Sequence, residues 1–184
     1  MSEATKIPGY VAGTWVIDPV HSEVGFSVRH LMVSKVRGRF EKFEGEIVTR
    51  DDILETSATL TVELNSINTG NADRDNDLRS ANYFEVDKYP TMTYRVLDLR
   101  ADGDRYVADG ELTVRDITNP VALDIEFNGI SRDPWGGTRA GLSATGEINR
   151  KDFGITFEMP MEGGGLVVGD KIKIDLEIEA VLQA

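Results

Sequence analysis

The sequence predicts an all-β protein of about eight strands with one short helix. Segment after segment alternates apolar and polar residues with the period of a half-buried strand, and clusters of Gly, Pro, Asn and Asp separate these segments at hairpin spacing. Each strand therefore has one apolar and one polar face. Because a single open sheet would leave its apolar face in water, the chain should form a closed barrel or a two-sheet sandwich.

The first part of the chain supplies four strands. Residues 1–13 have no period and contain several Pro and Gly, so we expect a disordered or extended tail there and a single domain over 14–184. Strand patterns follow at 23–31, 36–40, 43–47 and 58–64. The apolar residues change phase between Phe40 and Phe43, which predicts a bulge or a sharp bend of the kind that barrels need at their corners.

The stretch 78–94, LRSANYFEVDKYPTMTY, interrupts the strand pattern. A short helix is predicted over Asp73–Ser80, with Asn71 as its N-cap. The aromatic residues that follow the helix are Tyr83, Phe84 and Tyr89. Aromatic clusters of this kind usually cover apolar surface, so we predict a lid over an end or a seam of the β structure, through which a ligand enters.

Beyond the lid the alternation returns. The predicted strands cover 92–96, 106–114, 121–127, 140–148 and 172–178, and they are separated by predicted turns at 102–104 and 119–120, a loop at 133–138 and a flexible link at 163–165. Small residues recur on the inward faces: Ala58, Ala108, Gly110, Ala140, Ala144 and Gly146. Either they leave room for one apolar ligand inside an eight-stranded barrel, or bulky neighbours fill the space.

Composition excludes several classes of function. Lys and Arg total 20 against 32 Asp and Glu, and the net charge of −12 argues against nucleic acid and against electrostatic docking on an anionic membrane. There is no cysteine, so neither disulfides nor thiolate chemistry is available. The first residues lack a signal-peptide pattern, and no apolar run could span a bilayer. We therefore expect a cytoplasmic protein without stable membrane insertion.

Catalytic and metal-binding patterns are weak. Asp18, His21 and Ser22 are the residue types of a nucleophilic triad, but no nucleophile-elbow motif surrounds Ser22, and a turn with a hydrogen-bonded histidine is the better interpretation. With two histidines and no cysteine, a structural zinc site is not expected. The Asp-x-Asp-x-Asp pattern at 73–77 lacks the Gly and Glu that a calcium loop requires downstream. We predict neither catalytic residues nor a metal.

Five stretches together point to a known family: WVIDPVHSEVGFSVRHLMV, GRFEKFEGEI, ANYFEVDKYPTMTY, GELTVRDITNPVAL and GEINRKDFGI. They make the chain resemble the YceI-like polyisoprenoid-binding proteins over residues 14–180. The resemblance implies a lipocalin-like, extended, antiparallel eight-stranded barrel with a short helix over it. It also implies a long isoprenoid ligand, a polyprenyl phosphate or an isoprenoid quinone, in an elongated apolar pore.

Members of this family are often dimers, so the resemblance implies a homodimer as one expectation. They often carry a secretory signal, which the sequence pattern here lacks. Asp116 is a further departure, because the family usually has glycine at this position. Aspartate tolerates left-handed backbone better than most residues, so the turn should survive.

We therefore expect a non-enzymatic protein that stores or transports a long-chain isoprenoid or a similar amphiphile, with no other cofactor. The alternatives are an enzyme that acts on a small amphiphile and a ligand-free β scaffold with a packed interior. The predicted cavity wall consists of Phe26, Val28, Phe40, Leu60, Met92, Tyr94, Leu112, Leu142, Ala144 and Ile174. The candidate contacts for a head group are His21, His30, Arg79 and Asn82. On this hypothesis, Ala144→Phe should narrow the pore and leave the fold intact.

Overall fold

A computed structural model describes residues 7–31, 33–158 and 168–184. Its strands are β1 (Gly13–Ile17), β2 (Glu23–His30), β3 (Ser34–Phe40), β4 (Phe43–Thr49), β5 (Ser57–Glu63), β6 (Ile67–Asn68), β7 (Thr91–Asp102), β8 (Arg105–Val114), β9 (Ile117–Arg132), β10 (Thr138–Asn149) and β11 (Val168–Leu182). One α-helix is described, α1 (Ala72–Arg79). Short 3-10 helices cover Ile53–Glu55, Leu64–Ser66 and Arg150–Phe153.

Eight antiparallel strands close into a barrel in the order β1, β4, β5, β7, β8, β9, β10, β11. The closing pair joins β11 to β1, with Trp15 opposite Leu182. The predicted all-β, lipocalin-like barrel with one short helix is therefore confirmed, and the two-sheet sandwich is excluded. Among the described residues, no helix is both long enough and apolar enough to cross a bilayer.

Strand β11 has two successive neighbours on one of its sides. Its C-terminal end pairs with β1, and its N-terminal half pairs with β2, where Ile174 lies opposite Phe26. Strand β2 in turn pairs with β3, and only Arg39 and Phe40 of β3 pair onwards, with β6. In the described part of the chain the rest of β3 is thus a sheet edge. Helix α1 follows β6, and residues 80–90, the lid segment, lead on to β7.

The local signals at the helix and at the bend between β3 and β4 are confirmed. The Asn71 side chain accepts a hydrogen bond from the backbone N–H of Arg74 at 2.9 Å, as an N-cap should. Strand β3 ends at Phe40 and pairs with β2, whereas β4 begins at Phe43 and pairs with β1 and β5. The phase change in the sequence thus marks a true change of partners.

The predicted turn at Asn119–Pro120 is wrong. The chain turns at Arg115 and Asp116, whose φ angles are +52° and +63°, and both Asn119 and Pro120 lie inside β9. Two residues of left-handed backbone form a tight hairpin whose twist matches that of the flanking strands. Pro120 is tolerated because, among the described strands, only β8 pairs with β9 at this position. The turn at Asp116 survives without glycine, as expected.

The N-terminal segment packs on the barrel from Ile7 onwards. Ile7 and Tyr10 contact the core, and the Tyr10 hydroxyl donates a hydrogen bond to the carbonyl of Arg50 at 2.5 Å. The first six residues and the predicted link at 163–165 lie outside the described residues.

The barrel interior at Gly110 and Gly146 is filled by neighbouring side chains. A methyl group at Gly110 would lie 2.5 Å from the Tyr94 hydroxyl, and one at Gly146 would lie 2.5 Å from a methyl group of Leu123. The Tyr94 side chain is held beside Gly110 by a hydrogen bond that its hydroxyl donates to the Val121 carbonyl at 2.7 Å. At these two positions, small residues accommodate a large neighbour and do not create space for a ligand.

This packing predicts that Gly110→Ala destabilises the fold. The added methyl group would meet both the Tyr94 ring and the Arg95 carbonyl, at 2.6 Å, and overpacking of this kind costs about 1–3 kcal/mol. Gly141→Ala is the matched control, because its nearest neighbour would lie at an ordinary 3.7 Å. Denaturant unfolding of both variants measures the difference. Equal stabilities would show that Tyr94 moves aside without cost.

Candidate functional site

One half of the barrel contains an apolar cavity of about 150 Å³. Residues predicted from the sequence as its wall and found lining it are Phe26, Val28, Phe40, Leu60, Met92, Tyr94, Leu112 and Ile174. They come from β2, β3, β5, β7, β8 and β11, so the cavity is surrounded by strands on most sides. Their inward orientation follows from the alternation that the sequence shows.

Leu142 and Ala144 are not among the residues that line the cavity. Ala144 is 2% exposed and lies in the sheet between Leu176, which lines the cavity, and Ile125, which does not, so it lies where the cavity gives way to the packed half of the interior. Tyr106 and Phe127 fill that half with an edge-to-face ring contact at 5.6 Å. A phenylalanine at position 144 would therefore overpack the core and would not narrow a pore, contrary to the expectation from the sequence.

Several lining residues were missed because they lie outside the strand pattern. They are Ile67, Leu78, Phe153 and Ile155, which come from β6, α1, the 3-10 helix at Arg150–Phe153 and the segment after it. Phe153 and Ile155 belong to the stretch GEINRKDFGI, whose resemblance to the family was the only signal available for them. Periodicity could not assign them a face, since the chain there has neither a strand period nor a helical one.

The lid segment closes the cavity with two of its three aromatic residues. Tyr83 and Phe84 line the cavity, and Tyr89 does not. The Phe84 ring meets Phe40 edge-on at 6.0 Å, and Phe40 packs against Phe26 at 5.6 Å. The seal is thus a row of three rings that joins the lid segment to the β2–β3 side of the barrel.

Arg115, in the turn between β8 and β9, ties the lid segment to the barrel. Its Nη1 donates hydrogen bonds to the carbonyls of Tyr83 and Gly154, both at 3.2 Å, and its Nη2 contacts the Glu85 carboxylate at 3.4 Å. The guanidinium also lies over the ring of Tyr89, 5.8 Å from its centroid. Nothing in the sequence pattern singled out this arginine, because its partners are distant along the chain.

The candidate head-group contacts do not line the cavity. Arg79 donates hydrogen bonds to the carbonyls of Asn65 and Ile67, both at 3.1 Å, and thereby fixes the end of α1 to the preceding chain. Asn82 is exposed in a turn and contacts Asp77. His30 ends β2 opposite Val168, a lining residue, but does not itself reach the cavity.

His21 belongs to an ion cluster on the outside of the barrel. Its Nδ1 lies 2.8 Å from the Asp18 carboxylate, and Nη1 of Arg139 donates to the carboxylates of Asp18 and Glu179, both at 2.8 Å. The Ser22 hydroxyl donates to the Glu179 backbone carbonyl and not to His21, so these residues do not form a nucleophilic triad. Asp18, His21 and Glu179 are close enough to hold a cation, but the guanidinium already occupies the two carboxylates.

Arg150 is the one charged residue among those that line the cavity in the described part of the chain, and it is 4% exposed. It donates hydrogen bonds to the carbonyls of Ile155, Phe157 and Gly169, at 3.0, 2.7 and 3.2 Å, and forms an ion pair with Asp170 at 3.2 Å. The guanidinium is thus used to brace the chain around β11. Burial of a charge requires such partners.

The arrangement is a closed β-barrel with an apolar cavity beneath the lid segment. The chain belongs to the YceI-like family, whose family model matches residues 15–180. A UPF0312 protein of Staphylococcus aureus strain N315 is 37% identical over 170 residues, which cover 90% of this chain and 95% of that protein.

Solved structures share the fold. The YCEI protein of Campylobacter jejuni matches with a TM-score of 0.72 and 29% identity, over 91% of this chain and 96% of that one. A polyisoprenoid-binding domain from Saccharophagus degradans, implicated in plant cell wall breakdown, matches with a TM-score of 0.71 and 16% identity, over 94% of this chain and all of that one. At that identity the second likeness shows the fold alone.

The ion cluster predicts a specific response to acid. Contacts with His21 and Arg139 lower the pKa of Asp18 from 3.8 to about 2. Because the pKa is lower in the folded state, Asp18 contributes stability that is complete above about pH 4 and is lost as the pH falls towards 2. Asp18→Asn should therefore lower the free energy of unfolding at neutral pH by about 1–3 kcal/mol, with little effect near pH 2.

Denaturant unfolding at neutral and at acid pH measures this difference. Asp104→Asn is the matched control, since Asp104 is exposed in the turn between β7 and β8 and should cost nothing at either pH. A loss for Asp18→Asn that is the same at both pH values would show that shape, and not charge, holds the cluster.

Proposed function

We propose that the protein binds the hydrocarbon tail of a long isoprenoid, or of a similar amphiphilic lipid, in the lidded cavity, as a storage or transport protein. The observation that carries the proposal is the chemistry of the wall. Its residues are aliphatic and aromatic apart from Arg150, whose guanidinium is held by three backbone carbonyls. Such a wall offers a tail about 0.8 kcal/mol per buried methylene and offers a polar group nothing.

The chemistry of the wall also argues for binding over catalysis. Among the described lining residues there is no carboxylate, histidine, serine or threonine; the two hydroxyls belong to Tyr83 and Tyr94, and that of Tyr94 is already bonded to the Val121 carbonyl. Burial raises the pKa of Tyr83, so its hydroxyl stays protonated and is a poor base. An enzyme that acts on an amphiphile would need a positioned acid, base or nucleophile at the cavity. The name of the S. degradans domain, which has the same fold, supports an isoprenoid as the ligand. Polyprenyl phosphates and isoprenoid quinones are the candidates, and a homodimer remains an expectation from the family resemblance.

The size of the cavity bears on how a long tail would fit. An apolar cavity of about 150 Å³ accommodates a molecule of the size of benzene. A longer chain therefore requires the cavity to lengthen, and the lid segment is one of the parts of the wall that are not held in the sheet. We infer that the lid segment moves when the tail enters and that the head group stays outside, where polar partners are available.

The first test is native mass spectrometry of the purified protein, alone and after incubation with a polyprenyl phosphate or an isoprenoid quinone. We expect a bound amphiphile, and we expect Val28→Phe to weaken its binding because the larger ring fills the cavity. Val96→Phe is the matched control: the same substitution is made on an inward-packed residue that does not line the cavity. Equal binding by both variants, or an absence of lipid in the wild type under all conditions, would overturn the proposal.

The second test concerns the lid. Ligand binding should protect backbone amides between Asp73 and Tyr89 from hydrogen exchange more than amides between Lys171 and Glu179 in β11. The reason is that α1 is short and acidic and has little stability of its own, whereas β11 is paired on both sides. Hydrogen exchange followed by mass spectrometry compares the two segments. Equal protection in both, or none in the lid, would mean that this stretch is a fixed plug.

A further inference from the structure

The β2–β3 hairpin carries a charge opposite to that of the molecule. Residues 29–31 and 33–40, which we call the basic hairpin, contain four arginines or lysines and no aspartate or glutamate, in a chain with 32 acidic and 20 basic residues. The basic residues are Arg29, Lys35, Arg37 and Arg39. A local excess of this size in an acidic protein calls for a physical reason.

The strand register places these cations on one outward face. Arg29 lies directly opposite Lys35, while Arg37 and Arg39 lie opposite Ser27 and Gly25. Like charges placed opposite each other on a sheet are destabilising. Within the described part of the chain, neither Arg29, Lys35 nor Arg37 has a carboxylate within salt-bridge distance, and Arg39 contacts only exposed Glu41, at 3.4 Å. On the flanking strand β11, Lys173 and Asp175 face the same side.

The end of the basic hairpin is apolar. Val33 is 82% exposed and Leu31 is 37% exposed, and Leu31 takes a left-handed backbone, with φ of +54°. A non-glycine residue in that conformation is held at a cost. The cavity lies next to this end: Val28 of β2 lines it, and so does Val168, which pairs with His30. Exposed apolar residues, a cationic face and the cavity thus meet at one place.

Protection of a sheet edge does not account for this pattern. Strand β3 is largely unpaired on one side, and charged residues on an edge strand prevent association with other sheets. Edge protection accounts for cations on β3 only, whereas Arg29 lies on β2, which has β11 and β3 as neighbours. A second copy of the same hairpin would be repelled by four cations. The uniformly positive sign instead complements an anionic surface.

We propose that the basic hairpin docks reversibly on anionic phospholipid bilayers. Its cations would contact headgroup phosphates, and Val33 and Leu31 would enter the interface beside them. The net charge of −12 argues against such docking for the molecule as a whole, but charges are screened beyond about 10 Å, so the hairpin responds to the surface independently of distant acidic residues. The docking site itself is independent of the proposed function. Only the idea that a lipid tail enters the cavity from this site rests on the proposed function.

The test is sedimentation of the whole protein with vesicles of phosphatidylcholine, with and without phosphatidylglycerol. We expect binding only to the anionic vesicles, weakened by salt. The double variant Lys35→Glu/Arg37→Glu should bind at least about tenfold more weakly. The control Arg95→Glu/Arg132→Glu makes the same change in net charge at exposed residues of β7 and β9 and should bind as the wild type does.

A second pair of variants tests the apolar tip. Val33→Asp should lose binding, whereas Val20→Asp should retain it, although Val20, in the turn between β1 and β2, is equally exposed at 83%. Equal losses in both charge variants would show an effect of net charge alone and would overturn the proposal. Equal binding of the wild type to neutral and to anionic vesicles would also overturn it. The same holds if the wild type binds no vesicles and is a dimer that Val33→Asp converts into a monomer, because the tip would then be a contact between copies of the chain.

The two proposals fail separately. If native mass spectrometry finds a bound isoprenoid but no variant alters vesicle binding, the docking proposal is wrong and the proposed function stands. If the hairpin variants lose vesicle binding but no amphiphile is ever bound, docking stands and the cavity has another role.

Discussion

The structure depends on the pairing of β11 with two different strands on the same side. Of its 15 residues, those from Lys171 to Val181 pair with β10 along one edge, and along the other edge the strand pairs with β1 at its C-terminal end and with β2 before it. The change of partner occurs where Asp18, Arg139 and Glu179 hold the turn between β1 and β2. Where β11 pairs with β1, the barrel is closed. Where β11 pairs with β2, the sheet continues into the β2–β3 hairpin, and β3 has a largely unpaired edge. The lid segment and the cavity both belong to this second half.

Much of this architecture could be predicted from the sequence, because a period of two identifies which side chains face inward. It does not identify which neighbour fills a given space. Gly110 and Ala144 therefore looked alike in sequence, although the first lies beneath the Tyr94 ring and the second lies in a packed layer. Asn119–Pro120 is a strong local turn signal, but the chain already turns at Arg115 and Asp116, which have left-handed backbone. Asn119 and Pro120 then pair with β8 as part of a strand. Arg115 and Arg150 act through partners that only the folded chain brings together.

The contacts of the lid segment suggest which ligands can open it. Opening would break the two Arg115 contacts with the lid segment, to the Tyr83 carbonyl and the Glu85 carboxylate, each worth about 1 kcal/mol, and one ring pair of similar value. A buried methylene returns about 0.8 kcal/mol, so a tail shorter than roughly four methylenes would not offset the opening. On the proposed function, the lid segment would therefore favour long chains without any contact that measures length. Selection by tail length agrees with a wall that offers no specific polar partner.

A cavity in a protein interior lowers the free energy of unfolding, so the cavity in one half of the barrel needs an explanation. At roughly 24 cal/mol per Å³, an empty space of about 150 Å³ costs about 3–4 kcal/mol, a large part of the net stability of a small domain. The packed half offsets this cost with the layer around Tyr106 and Phe127 and with the hydrogen bond from Tyr94 to the Val121 carbonyl. Larger side chains at the lining positions would fill the cavity and remove this loss of stability. Its presence beside the lid segment supports the proposed function, since a bound tail would recover the lost contacts.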